Sequence, residues 1–154
     1  MRVLAIGENA KQFAHEIWES AEIDATTLLP GKKRTDYDSV LSYMNLPTVP
    51  YKDVLRTVKA WVEALKPGGE LTVMCPSLEW AAVQVLSRER NPALIVHLFG
   101  TQDKPDHFHA SGYTMMDLRA LLSMAGIAVT HAATGEYMID ANTCEMHTVR
   151  GVKK

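Results

Sequence analysis

From Trp61 to Val73 the chain reads WVEALKPGGELTV, and this stretch limits the architectures open to it more than any other. Val54, Leu55, Val58, Trp61, Val62 and Leu65 form one apolar stripe at helical spacing, which predicts a helix over residues 51–65. Pro-Gly-Gly stops that helix, because proline cannot continue it and glycine can take the left-handed cap. An apolar strand, residues 71–75, begins almost at once. A helix that turns directly into a buried strand is a crossover unit, and crossovers join parallel strands. The expected class is therefore α/β.

The rest of the chain repeats the alternation. Residues 2–6 read as a buried strand, residues 10–21 as a helix with Phe13, Ile17, Trp18 and Ala21 on one side, and residues 23–29 as a second strand ended by Pro30-Gly31. The basic loop KKRTD comes next, then a strand over residues 38–43, then NLPTVP, whose prolines argue against helix. After the strand at 71–75, Pro76-Ser77 opens a helix to about Arg90, with Ser77 as cap and Glu79 near its positive end. Asn91-Pro92 breaks it, ALIVHLF restarts, and the polar loop GTQDKPDHFHASG occupies residues 100–112. A loop that long inside a domain is usually functional. Thr114 and Asp117 form a capping pair before the stripe Leu118, Leu121, Leu122, Ala125, and Gly126 ends that helix. Strands at 127–132, extended by 137–140, and at 145–152 close the chain around a turn at 141–143.

At 154 residues, with 47% hydrophobic and 22% charged side chains, one domain spanning 1–154 with a real core is expected. The net charge of -2 gives no footprint for nucleic acid or an anionic membrane. No apolar run approaches the roughly 20 residues of a membrane span. Cys75 and Cys144 have neither disulfide-framework nor zinc spacing, so a soluble, cytoplasmic protein is expected.

Three segments together resemble class I S-adenosylmethionine-dependent methyltransferases: YDSVLSYMNLP through LKPGGELTVMCP, HLFGTQDKPDHFHASGYTMMDLRALLSMAGI, and the tail EMHTVRGVKK. The second is similar to a subgroup carrying a Gly-x-Gln segment, His-x-Ser-Gly-aromatic-Thr and a helix ending Ala-Gly-hydrophobic, here Gly100, Gln102, His109, Ser111, Gly112, Tyr113, Thr114 and Ala125-Gly126. The resemblance implies a Rossmann-like, mostly parallel sheet with an antiparallel C-terminal hairpin. Only about thirty residues separate Gly7 from the strand at 38, so one N-terminal strand/helix unit is expected to be lacking. It also implies S-adenosylmethionine as cofactor, held by Gly7, Glu8 and Asn9 after the first strand, by Asp24 for the ribose, and by Tyr43 and Met44 at the end of the fourth family strand. Where the family has Asp-x-Gly-x-Gly-x-Gly, this chain has AIGENA, a degenerate glycine loop in which Glu8 and Asn9 stand where close backbone approach favours glycine.

Methyl transfer needs positioning, often with a base for the acceptor's proton. Asn45 is the candidate to bond a planar amino group, the other choice being an Asx turn before proline. His109 is the candidate base or acceptor-site residue, and Tyr113 offers a phenol beside it. His107 and His109 near Asp103 and Asp106 have donor chemistry for a divalent metal, but a solvated loop is the favoured reading and no metal is assigned. Trp18, Trp61, Trp80, Met115, Met116 and Met124 are expected in the core, and Lys32, Lys33 and Arg34 in a solvated loop. Two functions remain open. One is an S-adenosylmethionine-binding methyltransferase-like protein, of weakened or lost activity, acting on an unspecified small-molecule or protein acceptor. The alternative is a catalytically inactive fold serving as a structural or partner-binding subunit, as a homo-oligomer or within a larger assembly such as a viral particle.

Overall fold

Strand β1 (Val3–Ile6) lies inside the parallel half of the sheet, and Leu4, Ala5 and Ile6 are all buried, which accounts for its unbroken apolar run. The computed structural model describes residues 2–6, 20–22, 36–87, 90–104 and 107–154, with 20–22 as backbone alone. The remaining elements are β2 (Ser20–Glu22), β3 (Tyr37–Tyr43), α1 (Val54–Ala64), β4 (Leu65–Pro76), α2 (Leu78–Ser87), α3 (Ala93–Phe99), α4 (Met115–Met124), β5 (Ile127–Ile139) and β6 (Asn142–Lys153). They build one sheet in the order β2-β1-β3-β4-β6-β5. β2, β1, β3 and β4 run parallel, and β6 inserts antiparallel between β4 and β5. This is the expected Rossmann-like sheet with a C-terminal hairpin. Among the described residues β2 is the outermost strand of its side.

One face of the sheet carries the main core. Leu4, Ile6, Val40, Leu71, Val73, Cys75 and Val149 meet Val58, Trp61 and Val62 of α1 and Leu118, Leu121 and Leu122 of α4. Leu71, Val73 and Cys75 are fully buried while Thr72 and Met74 between them are not, the alternation of a strand with one dominant core face. Fully burying each large side chain of this set contributes about 1.5–3 kcal/mol. Trp61 is 0% exposed and Trp80 9%, as expected of core residues. Met116 and Met124, by contrast, are 80% and 61% exposed, because the buried stripe of α4 is Leu118, Leu121 and Leu122. Trp18 lies outside the described residues.

Several boundaries differ from those expected. Ser20 and Ala21 belong to β2, paired with Val3 and Leu4, and not to the end of a helix. Pairing to β1 overrides the local helical preference, which is strong for Ala. Lys66, Pro67, Gly68 and Gly69 lie within β4: Leu65 already pairs with Tyr37, a register shift comes next, and Gly68 takes φ 73. Leu46–Thr48 forms a 3-10 turn with proline in its first turn, where the missing N–H is no loss. The closing turn is Asp140-Ala141, since Ile139 pairs with Asn142. Among the described residues no helix is long and apolar enough to cross a membrane.

The start of α4 is tied to the hairpin by Glu79. Thr114 and Asp117 form the expected capping box, with the Asp117 N–H donating to Thr114 Oγ1 at 3.1 Å and the Thr114 N–H to Asp117 Oδ2 at 3.0 Å. Glu79 stands in the first turn of its own helix, as expected, and also reaches beyond it. Its Oε1 accepts the Met115 N–H at 2.9 Å, and its Oε2 meets Nε2 of His147, which is 3% exposed, at 2.5 Å. Replacing Glu79 by alanine strands the buried His147 N–H and the first amide of α4, so a loss of about 1–3 kcal/mol is expected in urea denaturation. Burial raises the Glu79 carboxyl pKa, but the bonds from His147 and Met115 outweigh it and hold the group below its ordinary value. That contribution is therefore present above about pH 4.3 and lost as pH falls through the folded value, and the Glu79→Gln protein should lack this acid-limb dependence.

Candidate functional site

The chain leaves β1 toward β2 on one side and resumes with β3 on the other, so the order reverses between β1 and β3. In open α/β sheets the crevice at such a reversal, outside the carboxyl ends of the strands, is the natural ligand site. Of the residues expected there, Gly7, Glu8, Asn9 and Asp24 lie outside the described residues. Tyr43, Met44 and Asn45 do stand at this edge, at and just past the end of β3. Met44 takes φ 55, unusual for a side chain of its size, and its N–H is anchored to the Met74 carbonyl at 2.8 Å. Burial raises the Tyr43 phenol pKa. Ser42 Oγ and Asn45 Oδ1 are both buried without a hydrogen-bond partner among the described residues. Two orphaned polar atoms at one strand end cost about 1–3 kcal/mol each unless a ligand or water meets them. Glu22, the last described residue of β2, is level with Ala5 near the same edge. The strand expected at residues 23–29 lies outside the described residues.

The His-x-Ser-Gly-Tyr segment clamps the turn that comes after β3. The Ala110 and Ser111 N–H groups both donate to the Pro47 carbonyl, at 2.7 and 3.0 Å. The Ser111 hydroxyl donates to the Val49 carbonyl at 3.1 Å and accepts from the Tyr113 hydroxyl at 2.8 Å. Tyr113 is 3% exposed, and its backbone carbonyl accepts the Leu78 N–H at 3.2 Å. Burial pushes its phenol pKa well above the usual tyrosine value. Its hydroxyl is thus engaged internally.

His109 is fixed through a second histidine. His97, 2% exposed, donates Nε2–H to the Ser77 carbonyl at 2.7 Å and accepts the Tyr137 hydroxyl on Nδ1 at 2.9 Å. Its ring lies 4.5 Å from Trp80 and 5.8 Å from Tyr137. The His97 carbonyl accepts Nδ1–H of His109 at 3.2 Å, and the Leu98 backbone also bonds the ring. Burial lowers the pKa of both imidazoles, so both are neutral at pH 7. A small cleft, with about 20 Å³ of space for a water-sized group, opens beside His109 and His97, walled by Pro47, Pro76, Leu78 and Leu98. The segments just past the ends of β3 and β4 supply part of its wall, next to the reversal between β1 and β3.

His107 is not brought into partnership with His109. Its Nδ1 meets Asp103 Oδ1 at 2.7 Å, and among the described residues no group of metal-binding side chains occurs. Thr101 and His107 together hold the Asp103 carboxyl at about 2. Gly100, at φ 77, is required because a Cβ there would stand 1.9 Å from the His107 carbonyl oxygen. The bonds of His97 to Ser77 and Tyr137 escaped sequence reasoning because these partners lie 20 and 40 residues from it in the chain.

No protein-family model matches the sequence, and no curated protein matches it. In structure the chain is similar to a methyltransferase from Methanosarcina mazei, described as S-adenosylmethionine-dependent, at 16% identity and TM-score 0.67, covering 99% of this chain and 92% of that one. It is similar to an S-adenosylmethionine-dependent methyltransferase from Archaeoglobus fulgidus at 10% identity and TM-score 0.59, covering 99% and 86%. A Haloferax volcanii protein in complex with the Trm112 methyltransferase activator is similar at 13% identity and TM-score 0.63, covering 98% and 81%. The chain has the class I methyltransferase fold.

Two outcomes are expected at this site. Ser111→Ala removes bonds to Val49 and Tyr113 and should lower stability by about 1–2 kcal/mol in thermal unfolding. In a pH titration followed by NMR, His109 should protonate below the ordinary histidine value of about 6.5. Because the unfolded chain then takes up the proton first, stability should decline as pH falls below that value.

Proposed function

We propose that residues 1–154 form one domain that binds S-adenosylmethionine at the β1/β3 reversal and serves methyl transfer to an acceptor beside His109. The observation that carries this reading is the pair of buried atoms without a hydrogen-bond partner among the described residues, Ser42 Oγ and Asn45 Oδ1, at the end of β3. Polar atoms left unmatched at a strand end fit a polar ligand there. Gly7, Glu8 and Asn9 would hold the methionine part, and Asp24 the ribose hydroxyls. Tyr43 and Met44 would line the side of the cofactor nearest β3. Once bound, the cofactor supplies an electrophilic methyl group on sulfur. Asn45 would orient the acceptor, and His109, neutral and held by its Nδ1–H, would receive the acceptor's proton. Tyr113 acts as a positioning residue, since its hydroxyl holds Ser111 and through it the turn after β3. The Trm112 complex of the Haloferax neighbour makes a protein activator a reasonable partner class for this chain as well.

Calorimetric titration with S-adenosylmethionine and S-adenosylhomocysteine tests the reading. A Kd of about 10 μM is expected, weakened at least about tenfold by Gly7→Trp. Absence of binding at about 1 mM would overturn it and favour the catalytically inactive, partner-binding alternative.

A further inference from the structure

Strand β5 ends the sheet, and its outer edge has no partner strand among the described residues. The phase of the ladder fixes which backbone groups face outward. The Ser77 N–H donates to the Glu145 carbonyl, in step with the Cys75–His147 and Val73–Val149 pairs, so the odd-numbered residues of β6 bond β4. The even-numbered residues of β6 therefore bond β5, through His131, Ala133, Gly135 and Tyr137. The N–H and C=O groups of Ala132, Thr134, Glu136 and Met138 point away from the sheet, and all four residues are exposed. Edge strands are commonly blocked against further pairing by proline, lysine or a bulge. Here the register shift lies before His131, and from there to Met138 the sequence HAATGEYM has no proline, lysine or arginine.

Gly135 supplies a second, independent observation. Glycine inside a strand weakens it, and it marks a bulge, a bend or the close approach of another backbone. Gly135 pairs in regular register with Met146, its φ is not in the left-handed region, and a Cβ built on it would meet nothing within 4 Å. At Gly151, by contrast, a Cβ would stand 2.4 Å from the Ala128 carbonyl oxygen. The fold of the single chain thus requires glycine at 151 and not at 135. The sequence around Gly135 is also self-complementary. Antiparallel pairing with another copy, about a two-fold axis at Gly135, sets Ala132 opposite Met138, Ala133 opposite Tyr137 and Thr134 opposite Glu136. Each smaller side chain meets a larger one, and Glu136 does not face its own copy. The same register brings the outward backbone groups of residues 132, 134, 136 and 138 opposite one another, so they complete a ladder. Gly135 falls on the axis in a non-hydrogen-bonded pair, where Cα atoms approach to about 4.5 Å.

We infer that the outer edge of β5 pairs antiparallel with β5 of a second copy of this chain, centred on Gly135, and joins the two sheets into one. This interface stands apart from the function proposed above, since neither the cofactor region nor His109 takes part in it.

Sedimentation equilibrium and amide hydrogen exchange on the full chain test it. At about 0.1 mM the protein should have twice the mass of one chain, with a Kd of about 10 μM. The amides of Ala132, Thr134, Glu136 and Met138 should exchange at least about tenfold more slowly at that concentration than at about 1 μM. Gly135→Lys sets two ammonium groups opposite each other on the axis and should raise Kd at least about tenfold, with the melting curve of the dilute protein unchanged. Gly135→Cys should form an interchain disulfide on mild oxidation. Ala133→Cys, about 13 Å along the strands from its own copy, should not. Cys75 and Cys144 are buried and do not compete. A monomer at about 0.1 mM, a dimer that Gly135→Lys leaves unchanged, or equal cross-linking through positions 133 and 135 would overturn the inference.

Discussion

Ser77 is the joint on which the functional end of the molecule depends. It is fully buried just past β4, and each of its polar groups is bonded to a different element. Its N–H donates to the Glu145 carbonyl of β6 at 2.9 Å, its hydroxyl accepts the Trp80 N–H at 3.0 Å to cap α2, and its carbonyl accepts His97 Nε2–H of α3 at 2.7 Å. A bridge to Tyr113 brings in the loop before α4. Buried polar groups are costly unless matched, so this residue orders four segments at once.

That joint dictates how the cleft is arranged. α2 and α3 are held to the β5–β6 hairpin by the cluster around Trp80 and Tyr137, not by the main core beneath α1 and α4. The segment at residues 109–113 is drawn in from the other direction, through two hydrogen bonds to the Pro47 carbonyl. Two packed units therefore meet at the ends of β3 and β4, and the cleft is the space left between them. Its apolar walls come from two prolines and two leucines, and His97 spends both ring nitrogens on Ser77 and Tyr137.

The His-x-Ser-Gly-Tyr segment has a mixed character that the sequence alone could not separate. Ser111 and Tyr113 face inward and build the clamp, while His109 bonds the His97 carbonyl. Asn45 was a candidate from its place after the strand, and its buried oxygen has no partner among the described residues. His97 was not legible: in ALIVHLF it is one polar residue in an apolar run, and its partners lie far along the chain. Ser20 and Ala21 read as the end of a helix for a related reason, since Ser-Ala-Glu becomes a strand only through its pairing with β1.

The sequence by itself determined local features: the stripe of α1 stopping before Pro-Gly-Gly, the alternation of β4, the Thr114/Asp117 capping box and the hairpin near the C-terminus. These are set by periodicity, side-chain capping and φ limits within a few residues, and such terms act before any tertiary contact forms. Tertiary structure alone decided which histidine is buried and which carbonyl His109 bonds. It also carried the Glu79 carboxylate from the first turn of its own helix to β6 and α4, and left Met116 and Met124 in solvent. Those outcomes depend on matching buried donors with acceptors contributed by distant segments, and no local pattern encodes that matching.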